Sequence, residues 1–341
     1  MGRYAAAVLL LLTMVWIFTS CGRDKSAPET TTPGVSPAEV LRGHDVGVTS
    51  GSSPAILELR YVLAEKYAIG SSVLTGTDIL LLGSAADSLV DQLRSGQLRY
   101  AVLPPLAAFQ AQDDARLRVL LPISKDMQEL TGVPVPHSVL ASYADIISQK
   151  PAVMTELNRM LRDSLAHFQA NRGLVLDAVA QERNADRAFL DWWWSRFDMP
   201  LGQLSPDFQQ GILRFWQAAV GLGDIEDYPE LTDVLFAGPA GTAPSPVQGG
   251  RQTVSLAVLD DPSRRAALYA IENGLVTSNL VDLNITYLPQ AELTEAASTR
   301  QYDVVETAPT LIVQGRERGV DFMIISAGLI DLDGTQLYTY D

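Results

Sequence analysis

The chain has 341 residues, of which 47% are hydrophobic and 19% are charged, and its formal net charge is −15. This composition predicts a packed globular protein and argues against a disordered one. The acidic balance argues against nonspecific binding of nucleic acid, since no basic stripe is available to neutralise phosphates.

The first 20 residues have the pattern of a signal peptide. Arg3 precedes an apolar run from residue 5 to residue 19, which is short for a membrane span. The sequence Phe18-Thr19-Ser20 then leads into Cys21, the only cysteine of the chain, and this arrangement resembles the lipobox of bacterial lipoproteins. We therefore expect Cys21 to carry a lipid that anchors the protein to the extracytoplasmic side of a bacterial membrane. The alternative is an uncleaved membrane anchor in which Cys21 is incidental.

Residues 21–35 are polar and rich in threonine, serine and proline, which predicts a flexible tether. From residue 36 to residue 143, apolar runs of strand length alternate with segments of helical periodicity. The predicted strands are 46–49, 79–82, 100–103, 117–123 and 138–143, and the predicted helices are 54–68 and 85–95. This alternation predicts a mostly parallel sheet that is covered by helices on both faces.

Residues 144–236 are predicted to be largely helical. One of these helices contains the three consecutive tryptophans 192–194, a pattern that suggests a stacking platform for a ligand. Adjacent residues of a helix point about 100° apart, so we favour core packing for two of these side chains and exposure for the third. Residues 237–252 follow, with a proline- and glycine-rich composition typical of a linker.

The alternation of strand and helix restarts after the linker. The predicted strands are 253–259, 281–288, 302–306 and 322–326, and the predicted helices are 262–274, 291–300 and 309–319. Residues 253–341 therefore predict a second α/β lobe.

The stretches TVSLAVLDDPSRRAALYAIENGLV and VDLNITYLPQAELTEAASTRQYDVVETAPTLIVQGRERGVDFMII resemble the first lobe of bacterial ABC-transporter solute-binding proteins. The resemblance is to the SsuA/ThiY-like group, which serves sulfonates, nitrate and thiamine precursors. SPAEVLRGHDVGVTSGSSPAILELRYVL and DSLVDQLRSGQLRYAVLPP resemble the second lobe of the same group. The resemblance implies an α/β fold of the two-lobe, periplasmic-binding-protein-like type (type II).

The two lobes occur in reversed order along this chain. Residues 36–143 resemble the second lobe, residues 144–236 the terminal helices, and residues 253–341 the first lobe. We interpret this order as a circular permutation in which residues 237–252 join the former ends, since such an exchange is tolerated when the ends lie close together at the surface. The alternative is a gene-fusion remnant, in which each lobe would lack its partner.

Ligands of open α/β lobes bind beyond the carboxyl ends of the strands. The residues at these predicted strand ends, taken as candidate ligand-binding residues, are Ser50, Gly51, Ser52, Ser53, Ser84, Pro104, Asp260, Asp261, Gln290, Glu306 and Thr307. A helix that begins at Ser53 and Pro54 would offer free N–H groups to an anionic or acceptor group. The alternatives are simple helix capping by Ser53 and by Asp261. Arg264 and Arg265 are expected on a solvated helix face.

The resemblance implies a protein that captures a small solute and delivers it to an ABC permease. Carboxylates beside an anion-favouring loop suggest an amine-bearing pyrimidine or a zwitterion, and the family also takes sulfonates. We predict no catalytic residue, no metal and no cofactor, because one cysteine and the scattered His44, His137 and His167 show no ligand spacing. His44 and His137 are interpreted as loop residues. The alternatives are a sensory or scaffold lipoprotein and an enzyme of thiamine-pyrimidine synthesis.

Overall fold

The structure is a computed structural model, and it describes residues 36–49, 53–72, 78–238 and 250–341. The predicted signal peptide, Cys21, the tether and the candidate residues Ser50, Gly51 and Ser52 lie outside the described residues, as does most of the predicted linker. Residues 36–341 form one compact unit. Among the helices of the described ranges, none combines the length and the apolar composition that a membrane crossing needs.

Strands and helices alternate through most of this unit. The strands are β1 (Asp45–Val48), β2 (Ser71–Ser72), β3 (Ile79–Gly83), β4 (Tyr100–Val102), β5 (Leu117–Leu121), β6 (Val139–Tyr143), β7 (Phe197–Asp198), β8 (Gln252–Leu259), β9 (Val281–Leu288), β10 (Val304–Thr307), β11 (Phe322–Ala327), β12 (Ile330–Asp331) and β13 (Leu337–Tyr340). The α-helices are α1 (Pro54–Tyr67), α2 (Leu89–Arg94), α3 (Pro105–Ala111), α4 (Ile123–Thr131), α5 (Ala144–Gln149), α6 (Pro151–Ala170), α7 (Arg172–Arg183), α8 (Arg187–Trp193), α9 (Pro206–Gly221), α10 (Pro262–Glu272), α11 (Gln290–Thr299) and α12 (Pro309–Glu317).

The strands of the N-terminal part form a six-stranded sheet with the order β2-β3-β1-β4-β13-β5. Strands β2, β3, β1 and β4 are parallel neighbours. The strand β13 comes from the far end of the chain and lies antiparallel between β4 and β5.

A five-stranded sheet with the order β11-β6-β10-β8-β9 forms the other lobe of the structure. Its strands β10, β8 and β9 are parallel neighbours, and β8 and β9 pair along all eight residues. The strand β6 lies antiparallel between β10 and β11, although it follows the N-terminal strands in sequence. The predicted α/β fold of two lobes is confirmed, and each sheet contains one antiparallel strand that comes from the other part of the chain.

The helix α1 shows how local sequence fixes the elements that border the space between the lobes. Ser53 occupies the N-cap position and Pro54 the first helical position, as predicted. The helix ends at Ala68, which adopts a left-handed conformation with φ of 53°. The apolar side chains Ile56, Leu59, Val62 and Leu63 of α1 are buried.

The helix α9 packs between the two lobes, where it contacts both α1 and α12. Its side chains Phe215 and Trp216 are fully buried, and Trp216 Nε1 donates a hydrogen bond of 2.9 Å to the carbonyl of Pro309. Of the three consecutive tryptophans, Trp193 and Trp194 are buried and Trp192 is half-buried against Phe109. The prediction that two of them pack in the core is confirmed, whereas the expected exposure of the third is wrong, because Trp192 packs against Phe109.

The last strand, β13, lies close to the 3₁₀ helix Pro37–Leu41, because both contact Tyr100 of β4. Tyr100 of β4 pairs with Thr339 of β13, and its hydroxyl donates a hydrogen bond of 3.1 Å to the carbonyl of Val40. The circular permutation stays a prediction.

We expect a reordered chain to fold to the same structure. This chain begins at residue 250, runs to residue 341, continues through a short glycine-serine linker into residue 36 and ends at residue 238. Because the cost of loop closure grows only with the logarithm of loop length, its free energy of unfolding is expected to differ from that of the original chain by about 1 kcal/mol. Urea unfolding and size-exclusion chromatography test this.

A control chain opened between Met160 and Leu161, inside the buried face of α6, is expected not to fold. Aggregation or dimerisation of the first reordered chain would contradict the permutation and favour a fusion of two incomplete lobes.

Candidate functional site

Two segments carry the chain from one sheet to the other within the described residues, and we call them the hinge segments (residues 132–138 and 328–336). They run side by side, because the His137 amide donates a hydrogen bond of 2.8 Å to the carbonyl of Leu329 and Pro136 forms an antiparallel bridge with Ile330. A pair of adjacent connections of this kind is the arrangement in which two lobes can close around a ligand.

The hinge segments approach too closely for a side chain at Gly328. A Cβ atom at this position would lie 2.5 Å from Oγ of Ser138 and 2.7 Å from its carbonyl oxygen. The hydroxyl of Ser138 accepts a hydrogen bond of 2.8 Å from the Leu329 amide and donates one of 2.7 Å to Glu306. Ser138 therefore connects both hinge segments to the end of β10.

A buried ion pair joins Glu306 to Arg264 of α10. Arg264 Nη2 lies 2.9 Å from Glu306 Oε1, and the two side chains are 5% and 3% exposed. The other carboxylate oxygen accepts a hydrogen bond of 3.1 Å from the Leu259 amide. Burial by itself would raise the pKa of Glu306, but the charge of Arg264 and these donors outweigh burial and lower it.

A second buried cluster, the hinge cluster, consists of Glu58, His137 and Asp331. His137 Nε2 lies 3.1 Å from Glu58 Oε1 and 3.6 Å from Asp331 Oδ2. Burial raises the pKa of Glu58 to about 7, although His137 opposes this shift. Burial disfavours the charged form of His137, but the carboxylate of Glu58 outweighs it and raises the pKa of His137.

A cavity of about 160 Å³ lies between the lobes, and we call it the interlobe cavity. It is lined by Ser53, Pro54, Leu57, Phe215, Asp224, Thr310 and Gln314. The cavity thus lies between the carboxyl end of β1 in one sheet, where α1 begins, and the carboxyl end of β10 in the other, where α12 begins. This is the position that ligands take in open α/β lobes.

The charge at the cavity is compensated within the protein. Both carboxylate oxygens of Asp224 accept hydrogen bonds from Arg60 Nη1, at 2.7 and 2.8 Å.

The helices α1 and α12 each begin with a proline and have no side-chain hydrogen bond at their N-caps. Two positive helix ends therefore border the cavity, and they favour an acceptor group in a bound solute.

Of the predicted site residues that the structure describes, one lines this cavity. Ser53 lines it, whereas Glu306 and the buried Thr307, at the carboxyl end of β10, are not among its lining residues. The Thr307 hydroxyl has no hydrogen-bond partner among the described residues. Ser84 donates to Gln92, and Pro104 occupies the N-cap position of α3.

The other strand-end residues of the five-stranded sheet have partners on the protein surface. Asp260 is exposed and pairs with Arg183 at 3.1 Å and Arg265 at 3.2 Å. Asp261 accepts a hydrogen bond of 2.7 Å from the Ser263 amide, which is the helix capping that we weighed as its alternative role. Gln290 is exposed and lies near Thr294.

Sequence reasoning missed several residues of the site. The expectation of a solvated helix face is wrong for Arg264, because its charge is buried against Glu306. His137 lies in a loop, as predicted, but it contacts two buried carboxylates. The spacing of Pro309, Thr310 and Gln314 after a predicted strand is the signal that could have identified the α12 side of the cavity.

No protein-family model and no curated protein matches this chain. Solved structures to which it is similar include the aliphatic sulphonate-binding protein SsuA of Escherichia coli, at 11% identity and a TM-score of 0.32, with 87% of this chain and 61% of that one covered. The L-cystine solute receptor of Neisseria gonorrhoeae in its unliganded open conformation aligns at 10% identity and a TM-score of 0.32, covering 90% and 84%.

The ABC transporter substrate-binding protein CtaP of Listeria monocytogenes aligns at 10% identity and a TM-score of 0.34, over 78% of this chain and 55% of that one. The chain thus spans less than two thirds of the length of SsuA and of CtaP.

We expect Glu306→Gln to lower the free energy of unfolding by about 3–5 kcal/mol, because the substitution leaves the buried charge of Arg264 without its partner. The matched control is Asp282→Asn, which removes an exposed partner 3.6 Å from Arg251. The control is expected to cost less than about 1 kcal/mol. Urea unfolding followed by circular dichroism measures both, and equal effects of the two substitutions would contradict the buried pair.

The stabilisation that Glu306 provides is expected to depend on pH. Its pKa is lower in the folded protein than in the unfolded chain, so the stabilisation is complete above the ordinary glutamate pKa and is lost as the pH falls through the lowered value. The difference in unfolding free energy between wild type and Glu306→Gln should therefore be largest near neutral pH and should shrink in acid. Urea titrations at several pH values measure it, and a difference independent of pH would refute this assignment.

Proposed function

We propose that the protein is an extracytoplasmic lipoprotein that binds a small organic solute between its two lobes and delivers it to an ABC permease. The observation that carries this proposal is the interlobe cavity, which lies between strand ends of two different sheets. The two hinge segments supply the connection about which such lobes close.

Binding without catalysis fits the charges that surround the cavity. Asp224 is neutralised by Arg60, which is partly exposed with it, and Glu306 is neutralised by the buried Arg264, so each carboxylate is paired with an arginine of the protein. A general acid or base must instead be within reach of the substrate and able to exchange a proton. The polar groups that remain at the cavity wall, Ser53, Thr310 and Gln314, are suited to hydrogen bonding.

The cavity favours a compact solute with an acceptor end and an apolar body. Two helix N-termini favour a carboxylate, a sulfonate or a ring nitrogen, while Leu57 provides apolar contact. A cavity of roughly 150 Å³ holds a molecule of the size of benzene. Among the solute classes that the sequence suggested, a taurine-like zwitterionic sulfonate and a small pyrimidine meet this limit.

The lipid anchor and the extracytoplasmic location rest on the pattern around Cys21, and the permease partner rests on the family resemblance. Metabolic labelling with a radioactive fatty acid tests the anchor directly. Label is expected in the wild-type chain and not in a Cys21→Ser variant.

A sensory or scaffold lipoprotein is a second candidate function. The cavity volume favours it, because about 160 Å³ is below the roughly 300 Å³ at which small-molecule pockets usually begin. Such a protein would retain the two lobes and use an outer surface to contact a partner.

We expect one member of a panel of sulfonates, taurine-like compounds, pyrimidines and nitrate to raise the melting temperature. At about 100 times its dissociation constant, a solute that binds only the folded state adds about 2.7 kcal/mol to the free energy of unfolding. The variant Thr310→Phe fills the cavity and should abolish the shift. The control Thr294→Phe places the same side chain on the exposed face of α11 and should preserve it.

Two results would count against solute binding in the interlobe cavity. One is a panel in which no compound changes the melting temperature, which would favour the sensory or scaffold role. The other is a shift of equal size in wild type and Thr310→Phe, which would place the solute elsewhere.

A further inference from the structure

The three side chains of the hinge cluster come from three different parts of the fold. Glu58 belongs to α1, His137 to the first hinge segment and Asp331 to the second. One nitrogen and two carboxylate oxygens, one from each residue, lie within 4.8 Å of one another. The side chains are 1%, 11% and 0% exposed, so the cluster is enclosed by protein and opens only at His137.

Two of the three side chains, Glu58 and His137, contain buried polar atoms that no hydrogen bond satisfies. The two carboxylate oxygens of Glu58 have no hydrogen-bond partner of acceptable geometry among the described residues. The same is true of the Nε2 atom of His137. His137 Nε2 is close to Glu58 Oε1 at 3.1 Å, but the contact lacks the alignment of a hydrogen bond. A buried polar group that lacks a partner costs about 1–3 kcal/mol, and two such groups in contact require an explanation.

The spacing of the cluster suits a small divalent cation. Ligand atoms at about 2.0–2.1 Å from a tetrahedral Zn²⁺ ion are about 3.3–3.4 Å from each other. The two separations from His137 Nε2, 3.1 Å to Glu58 and 3.6 Å to Asp331, lie on either side of this value. A neutral imidazole with two carboxylates also carries the charge of −2 that compensates such an ion.

The surroundings of Asp331 resemble the support that metal-ligating carboxylates receive. Its Oδ1 atom accepts a hydrogen bond of 2.6 Å from the Gly334 amide. Its Oδ2 atom accepts from the Thr335 amide at 2.9 Å and from the Thr335 hydroxyl at 2.6 Å. These donors hold the carboxylate in one orientation, which is the function of outer hydrogen bonds around a metal centre.

We propose that Glu58, His137 and Asp331 form a binding site for a divalent transition-metal ion such as Zn²⁺ at the hinge between the lobes. Three protein ligands leave one coordination position for water or for a donor atom of another molecule. The ion ties α1 to both hinge segments, so its binding couples to the relative position of the lobes. This site is separate from the interlobe cavity and does not depend on the proposed solute.

The test is isothermal titration calorimetry, in which Zn²⁺ is titrated into the chelator-treated protein. We expect saturable binding of one ion per chain. Glu58→Gln and His137→Gln each remove a ligand at nearly constant volume and should weaken the affinity at least about 100-fold. Thr335→Val removes one donor to Asp331 and should weaken it about 10–100-fold. The control His44→Gln removes a histidine outside the cluster and should leave the affinity unchanged.

X-ray absorption of the zinc-loaded wild-type protein gives a second measurement that does not depend on any variant folding. We expect a first shell of nitrogen and oxygen atoms that includes one imidazole. Failure of wild type to bind Zn²⁺ saturably, or affinity unchanged in folded Glu58→Gln and His137→Gln variants, would overturn the proposal and leave the cluster as a buried ion pair. The shift in melting temperature that a solute causes, measured without metal, tests the proposed function separately.

Discussion

Each sheet of this protein is completed by a strand that the chain supplies after crossing the hinge. The strand β13 fills the position between β4 and β5, and β6 fills the position between β10 and β11. Without these strands, the backbone groups of four neighbouring edges would lack partners. The two lobes are therefore coupled through backbone hydrogen bonds, and the crossings place the hinge segments side by side. That arrangement brings strand ends of the two sheets to opposite walls of one cavity.

Most of the buried charged side chains in the described part of the molecule lie in the hinge segments or next to them. Both carboxylate oxygens of Glu306 accept hydrogen bonds in its pair with Arg264, whereas Glu58 and His137 meet without a well-formed hydrogen bond. Apolar side chains of similar volume would stabilise such positions as well or better. Charged groups at a hinge are consequently better explained by specificity of the lobe arrangement, and at Glu58 by a ligand, than by stability.

The interlobe cavity is shaped by helices that begin where strands end. The prolines at the start of α1 and α12 have no N–H to satisfy, and no side chain caps either helix. The Ile56 and Leu311 amides already donate to the carbonyls of Ser53 and Ala308. The packing of α9 against both helices places Phe215 behind the wall of the cavity. Under the proposed function, the size and polarity of the cavity favour a compact solute with an acceptor group.

Local sequence patterns determined the elements to within a few residues over most of the chain. The strand β9 was predicted with its observed bounds, and α1 with its start at Pro54, because alternation, periodicity and capping are properties of adjacent residues. The start of α2 was predicted four residues early, since the predicted helix began at residue 85 and the observed one begins at Leu89. The family resemblance supplied the two-lobe architecture.

Tertiary structure alone decided which charges are buried and which residues meet. Arg264 follows a capped helix start and has the local pattern of a solvated residue, yet its partner Glu306 stands 42 positions further along the chain. His137, Glu58 and Asp331 come from three elements, so no spacing in the sequence announces their contact. The composition and periodicity of this protein determine where strands and helices form, whereas burial and coordination depend on contacts between distant residues that local patterns do not encode.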